Sequence, residues 1–300
     1  MMVYLRCAII FSFVVIIMKY RYIRFPEGKG KAVTFSYDDG ARSDLRLAEI
    51  FDKYGVKGTF NLCGGMIGNP DRLTAEEMKS LTDRGHEIAC HGFEHTAPGM
   101  LRPFEGVQEY INDRLALENA LGKIVRGLAY PNGGITHLGN GATYENIRRY
   151  ISDLGFMYAR SLAGDNNRFR LPDDWFNWVP TMHHDNPNSL AWAQEFVDVD
   201  MHQHYFPSNA PRLFYVWGHS FEFDRKNNWE HIEDILKIVA NREDIWYATN
   251  IEIREYFEAY MSLVFSADSK TVYNPTLIDV WFEQPNGMFL VKSGETVTLG

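Results

Sequence analysis

Asp38-Asp39-Gly40 sets two carboxylates side by side in front of a glycine. Adjacent carboxylates can point in different directions, so one can ligate a cation while the other stays free as a base, and glycine allows the tight turn. Taken alone the pattern is weak, because Asp-Gly pairs are mostly turns. His91-Gly92-Phe93-Glu94-His95 carries two imidazoles four positions apart, which can reach one metal ion. No Glu follows the first His, so this is not a zincin helix, and Gly92 points to a loop. By themselves the two histidines also read as surface residues. Together, Asp39, His91 and His95 make a set of two imidazoles and one carboxylate. Catalytic zinc keeps three protein ligands and leaves a position for water. Asp38 beside such a set is a natural general base.

These residues need elements to hold them. Residues 32–37 form a short apolar, β-prone run that ends at the Asp pair. Leu47, Ile50, Phe51 and Tyr54 share one helical face, stopped by Gly55. Residues 58–63 read as a second strand. Thr74 and Glu77 form a capping-box pattern opening a helix that ends at Gly85. Residues 86–90 form a third strand ending at His91. A helix over 104–121 stops at Gly122, and 124–130 is a strand ending at Pro131. Ile147, Tyr150, Ile151 and Leu154 mark another helix. Strands follow at 156–162, 178–182 and 213–217, the last ending in Gly218-His219. Ile232, Ile235, Leu236 and Val239 mark a helix, and a strand at 245–249 leads into a helix through about residue 263.

Strand-then-helix, repeated about seven times, predicts a parallel barrel or an open doubly wound sheet. Asp38, Asp39, His91, Asn132 and His219 all sit just after strands, and those strands are different ones. That favours an α/β fold of the (β/α) barrel kind, whose active sites lie at the C-terminal strand ends. Residues 264–300 change character: 278–282, then Pro285-Asn286-Gly287, then 288–291 read as a hairpin in a small C-terminal β appendage. The expected division is a leader over 1–25, a barrel over 26–263 and the appendage over 264–300.

The motifs TFSYDDG (34–40), HGFEHT (91–96), RGLAYPNGG (126–134) and WGH (217–219) occur in the order and rough spacing of the polysaccharide deacetylase family. That is carbohydrate esterase family four, and the resemblance covers about residues 30–250. It implies a distorted barrel of about seven strands, a divalent metal (Zn2+ first) and removal of an acetyl group from an N-acetylated carbohydrate. It also implies roles: Asp38 as base; Asp39, His91 and His95 as metal ligands; Arg126 holding Asp38; the backbone N–H of Asn132 after Pro131 as oxyanion donor; and His219 as acid. The chemistry is coherent on general grounds, since amide hydrolysis needs an activated water, a polarised carbonyl and a proton for a poor leaving group.

The chain departs from the family pattern in places. Ser36-Tyr37 precedes the Asp pair where Thr-Phe is usual, and Gly92 replaces a loop-bracing Ser or Thr. Asn132 replaces an aromatic, and Trp217 stands where Leu is usual, which changes the walls of the substrate cleft. The Asp-rich fourth motif has only a loose counterpart in Asp173-Asp174-Trp175. His183 and His184, in the unusual run Pro180 to Asp185, could supply extra site groups, and Glu222 could support His219. Other readings of the site are a hydrolase of a small non-glycan amide, a carbohydrate O-acetyl esterase, and a non-catalytic glycan-binding protein.

Composition narrows the field. Lys plus Arg is 30 against 39 Asp plus Glu, a net charge of -9, which does not suit a nonspecific nucleic-acid binder. Three cysteines, widely spaced, make neither a disulfide scaffold nor a structural zinc site. Neither a phosphate-loop nor a nucleophile-elbow motif is present. Residues 7–18 carry no charge, a length that fits a signal-peptide core and is short for a membrane span. They read equally as a signal, as an anchor, or as the product of a wrongly chosen start codon upstream of Met18. Membrane contact is expected only through residues 1–18. The chain is cytoplasmic on the start-codon reading, and otherwise secreted, periplasmic or anchored.

Overall fold

The computed structural model describes residues 20–162 and 169–299. The apolar leader, with Cys7, lies outside the described residues. After β1 (Tyr22–Arg24), strands and helices alternate. β2 (Lys31–Asp38) leads to α1 (Ser43–Lys53), and β3 (Gly58–Leu62) to α2 (Ala75–Asp83). β4 (Glu87–Cys90) leads to α3 (Pro103–Leu121), and β5 (Gly127–Ala129) to α4 (Tyr144–Asp153). β6 (Tyr158–Arg160) and β7 (Met182–His183) precede α5 (Ser189–Asp198). β8 (Arg212–Gly218) is followed by α6 (Phe221–Lys226) and α7 (Glu230–Val239), and β9 (Ile245–Tyr247) by α8 (Asn250–Met261). Five short strands end the chain: β10 (Val264–Phe265), β11 (Thr271–Tyr273), β12 (Val280–Gln284), β13 (Gly287–Val291) and β14 (Thr296–Thr298).

The central sheet runs β6-β5-β4-β3-β2-β8-β7, all pairs parallel. β9 joins beside β2, pairing residues 31–33, while β3 pairs residues 35–38 of the same strand. The distortion of the barrel is in part this shared edge. The ring closes through residues 178–183: Trp178 bridges Arg160 of β6, and Met182 and His183 pair with Val216 and Trp217 of β8. The fold is a distorted (β/α) barrel, the closed alternative that the alternation left open and the distorted form that the resemblance implies. All eight residues of β2 are buried, as a central parallel strand covered on both faces requires. Thr74 and Glu77 form the reciprocal capping box, and Gly122 ends α3 in a left-handed conformation at φ 68°. Trp175, Trp178 and Trp229 are buried in the core, as are Cys63 and Cys90.

The tail forms two three-stranded antiparallel sheets, β1-β12-β13 and β10-β11-β14. The first contains the expected hairpin. It also contains Tyr22–Arg24, which corrects the extent of the leader: residues 22–24 are strand, and residues 23–25 are buried rather than a preceding segment. The physical reason is that Ile23 and Phe25 share a buried cluster with barrel residues far along the chain, Leu213, Tyr215 and Trp246 among them, while β12 supplies the pairing edge. Among the described residues no helix is long and apolar enough to cross a membrane.

Candidate active site

Strand register brings the chemistry together. Asp38 pairs with Asn61 across β2 and β3, Cys90 with Leu128 across β4 and β5, and Ala129 with Arg160 across β5 and β6. Tyr37 pairs with Gly218 on the other flank, so His219 leaves β8 at the same level. Asp38, His91 and Arg160 therefore meet at one end of the sheet. Asp39 and Gly40 both adopt positive φ, 79° and 62°. A Cβ at Gly40 would lie 2.7 Å from Leu62 Cγ, so this turn needs glycine for space as well as for φ.

The histidine loop is braced by α3. Asp113 is buried and accepts from the backbone N–H of Gly64, His91 and Gly92 at 2.6, 2.9 and 2.7 Å. Glu109 accepts from the N–H of Glu94 and Thr96. These two carboxylates brace a loop that carries Gly92 and no hydroxyl at that position. Gly92 sits at φ 82°, where its Cβ would approach Glu109 to 3.0 Å, so a side chain there would compete with the brace.

Asp39 Oδ1 lies 3.3 Å from His95 Nε2 and 3.6 Å from His91 Nε2. Zinc–ligand bonds of about 2.0–2.1 Å give tetrahedral edges of roughly 3.3–3.4 Å, so the three atoms are spaced as ligands of one ion. His91 Nδ1 is 2.8 Å from the carbonyl of Ala129, which turns Nε2 toward the carboxylates, an outer contact typical of ligating histidines. Burial raises the pKa of Asp39, but the His95 hydrogen bond and the fields of His91 and His219 outweigh it and hold the carboxyl well below its usual range. Burial pushes His91 down, favouring neutral imidazole. An ionised carboxylate beside neutral imidazole is the protonation state that ligation needs. The residues present thus fit a divalent ion.

Asp38 is buried, and its two oxygens have different partners. Oδ1 accepts from Asn61 Nδ2 at 2.8 Å, and Oδ2 accepts from Arg160. His91 Nε2 is 3.8 Å from Oδ2. The expectation for Arg126 is corrected here. Arg126 precedes β5, at the far end of the strand, and its guanidinium pairs with Glu255 of α8. The cation on Asp38 is Arg160, completely buried at the end of β6, with its guanidinium carbon 4.6 Å from the centre of the Trp217 ring. An arginine closing the short strand 158–160 was the available sequence signal, but only the β5–β6 register shows where it points.

His219 belongs to the same end of the barrel. Its Nδ1 is 3.4 Å from Glu222 Oε1. Burial opposes its charge, but Glu222 and the fields of Asp38 and Asp39 outweigh burial and raise its pKa. Asp174 takes no part here: it caps the turn at Phe176 and bonds Tyr144. Pro131 is buried. Asn132 follows at φ 53°, and its amide donates to the His95 carbonyl at 2.7 Å, tying the loop after β5 to the histidine loop. Trp217 stands between Arg160, His183 and His219, with ring centres 4.7 Å from His183 and 5.8 Å from His219.

The family model described as polysaccharide deacetylase matches residues 25–159. A Bacillus subtilis (strain 168) protein, YxkH, assigned by name to the polysaccharide deacetylases, is 29% identical over 104 residues, 34% of this chain and 37% of that protein. A Helicobacter pylori peptidoglycan deacetylase is 25% identical over 135 residues, 43% of this chain and 41% of that protein. The match thus spans about two fifths of each relative. A Mycobacterium smegmatis crystal structure, also assigned to the polysaccharide deacetylases, superposes with a TM-score of 0.56 at 18% identity, over 80% of this chain and 94% of that one, and shows the shared barrel. The matched segment, a little under half of the chain, carries Asp38, Asp39, His91, His95 and Asn132, and over it the chain is similar to the polysaccharide deacetylase family.

Proposed function

We propose that the chain is a metal-dependent hydrolase that removes an acetyl group from an N-acetylated carbohydrate. The observation that carries this reading is the division of labour between adjacent carboxylates. Asp39 is aligned with His91 and His95, while Asp38 is held apart by Arg160 and Asn61. The names of the relatives support an acetylated glycan as substrate.

Asp39, His91 and His95 would hold the ion. A bound zinc-class ion supplies a Lewis acid for the acetyl carbonyl and acidifies water. Asp38 takes the proton of the attacking water, and Arg160 and Asn61 fix its orientation. The N–H of Asn132 donates to the developing oxyanion. His219, with its raised pKa, gives a proton to the departing amine, and Glu222 orients its ring. Trp217 walls the substrate side, with Pro131 fixing the loop opposite.

The test is acetate release by zinc-loaded protein from N-acetylated oligosaccharides, O-acetylated oligosaccharides and small N-acetyl amides. The reading expects turnover on the first class. Turnover confined to O-acetyl esters or to small amides would replace the substrate, and binding without turnover on any class would leave a glycan-binding protein.

A further inference from the structure

A second group of side chains converges beside the site but outside it. His183 ends β7, His184 and Asp185 follow, and Glu222 comes from α6 across the barrel mouth. One donor atom from each lies within 4.8 Å of the others. Glu222 Oε2 is 3.2 Å from both His183 Nε2 and His184 Nε2, and His184 Nε2 is 3.3 Å from Asp185 Oδ2. These separations again match the roughly 3.3 Å edges of a tetrahedral zinc shell.

His184 supplies the independent observation. It is fully buried, stacked on Phe223 with ring centres 4.3 Å apart and facing Tyr37 at 5.7 Å. Neither ring nitrogen makes a well-aligned hydrogen bond, despite the short approaches of Nε2 to two carboxylates. Buried polar atoms are ordinarily paired, and an orphaned one costs about 1–3 kcal/mol. A nitrogen facing two carboxylates without aligning to either as a donor is placed as a ligand would be. Burial also pushes His184 toward the neutral form.

We infer that His184, Asp185 and Glu222, with His183 at the rim, form a second divalent-cation site for a zinc-class ion. Its donor set of imidazole nitrogens and carboxylate oxygens suits zinc better than magnesium or calcium, which prefer all-oxygen shells. Two present contacts would yield to the ion. Lys226 donates to Asp185 Oδ2 from a half-exposed side chain that can swing away, and the Asp185 N–H approaches His183 Nδ1 at 3.2 Å. Glu222 links the two centres: Oε2 faces the second site, while Oε1 faces His219 Nδ1. An ion there would fix the carboxylate that orients His219. The inference does not depend on the first site binding metal.

The test is zinc stoichiometry of the full chain by equilibrium dialysis after chelator treatment, with folding checked by circular dichroism. The wild type is expected to bind two ions, His95→Ala one, the double variant Asp185→Asn/Glu222→Gln one, and the three substitutions combined none. All three residues are partly solvent-accessible, and His183→Ala, a fourth accessible position, is expected to weaken the second ion alone. A single ion in the wild type, lost in His95→Ala and kept in Asp185→Asn/Glu222→Gln, would overturn the inference. A single ion kept in His95→Ala and lost in the double variant would support it and overturn the first site instead. Should a variant fail to fold, wild-type saturation at one cobalt ion with an unchanged spectrum in His183→Ala would also overturn it.

Discussion

Asp38 and Asp39 are chemically identical side chains that their neighbours make unequal. Asp39 faces two imidazoles, and Asp38 faces a guanidinium and an amide. The cation on Asp38 gives a direct test at this scale. Arg160→Met is expected to lower kcat by on the order of 10- to 100-fold with metal content unchanged, because it releases Asp38, the proposed base, without touching the proposed ligands Asp39, His91 and His95. Arg126→Ala is expected to leave turnover within about twofold and stability within about 1 kcal/mol, since its partner Glu255 lies on a partly exposed helix face. Steady-state kinetics on both variants checks the assignment, and the reverse ranking would restore Arg126. The contrast also shows what was legible in the chain. The Asp pair and the two histidines are local motifs, each set by one turn, so residue type and spacing exposed them. Glu222 stands three positions after His219, a spacing that already marked it as possible support, whereas Arg160 reaches Asp38 across three intervening strands. Contacts of that kind depend on register and rotamer, which no spacing rule carries.

The elements that hold the site are themselves joined by buried polar groups. Glu87 opens β4 and accepts from Thr59 of β3, Tyr158 of β6 and the N–H of Ile251 at the start of α8. Burial lifts its pKa to about 7 against those donors, from an ordinary 4.5. Between these values the folded protein keeps a proton that the unfolded chain has lost. Stability from this group is therefore full below about pH 4.5 and is lost as pH rises through 7, by at most roughly 3 kcal/mol. Burial shifts Asp44 and Asp113 the same way, to about 8 and about 7. Glu87→Gln removes one of the three titrations. Its melting temperature relative to wild type is expected to climb from pH 5 to pH 8, whereas parallel melting curves would show that Glu87 does not titrate there. The alternation of strands and helices was plain in the sequence because hydrophobic period and glycine stops mark it locally. The shared edge of β2 and the two-residue β7 were not, since both are products of ring closure.

At the scale of the whole molecule, the tail is tied back to the beginning of the described chain. β1 pairs with β12, and Arg24, 2% exposed, pairs with Glu283 at 2.5 Å and donates to the Asn209 carbonyl at 2.7 Å. Tyr256 of α8 donates to the Arg24 carbonyl and accepts from the N–H of Trp281. Barrel and tail thus share polar contacts as well as apolar ones, and the tail acts as a clasp on α8. Glu283→Ala is expected to destabilise the protein by roughly 3 kcal/mol, because it leaves a buried guanidinium without its carboxylate. Urea denaturation measures this, and a loss under about 1 kcal/mol would mean that solvent reaches Arg24. That residues 22–24 pair with the tail could not be read from sequence, because their partners lie about 260 positions away.

The central claim is that adjacent carboxylates divide ligation from proton transfer. It is tested most directly by measuring bound metal and acetate release together in Asp38→Asn, with an N-acetylated oligosaccharide as substrate. The account predicts wild-type metal content with acetate release reduced by about 10²-fold or more, the scale of a lost general base. Unchanged release would remove Asp38 as the base, and loss of the metal along with activity would make Asp38 a ligand.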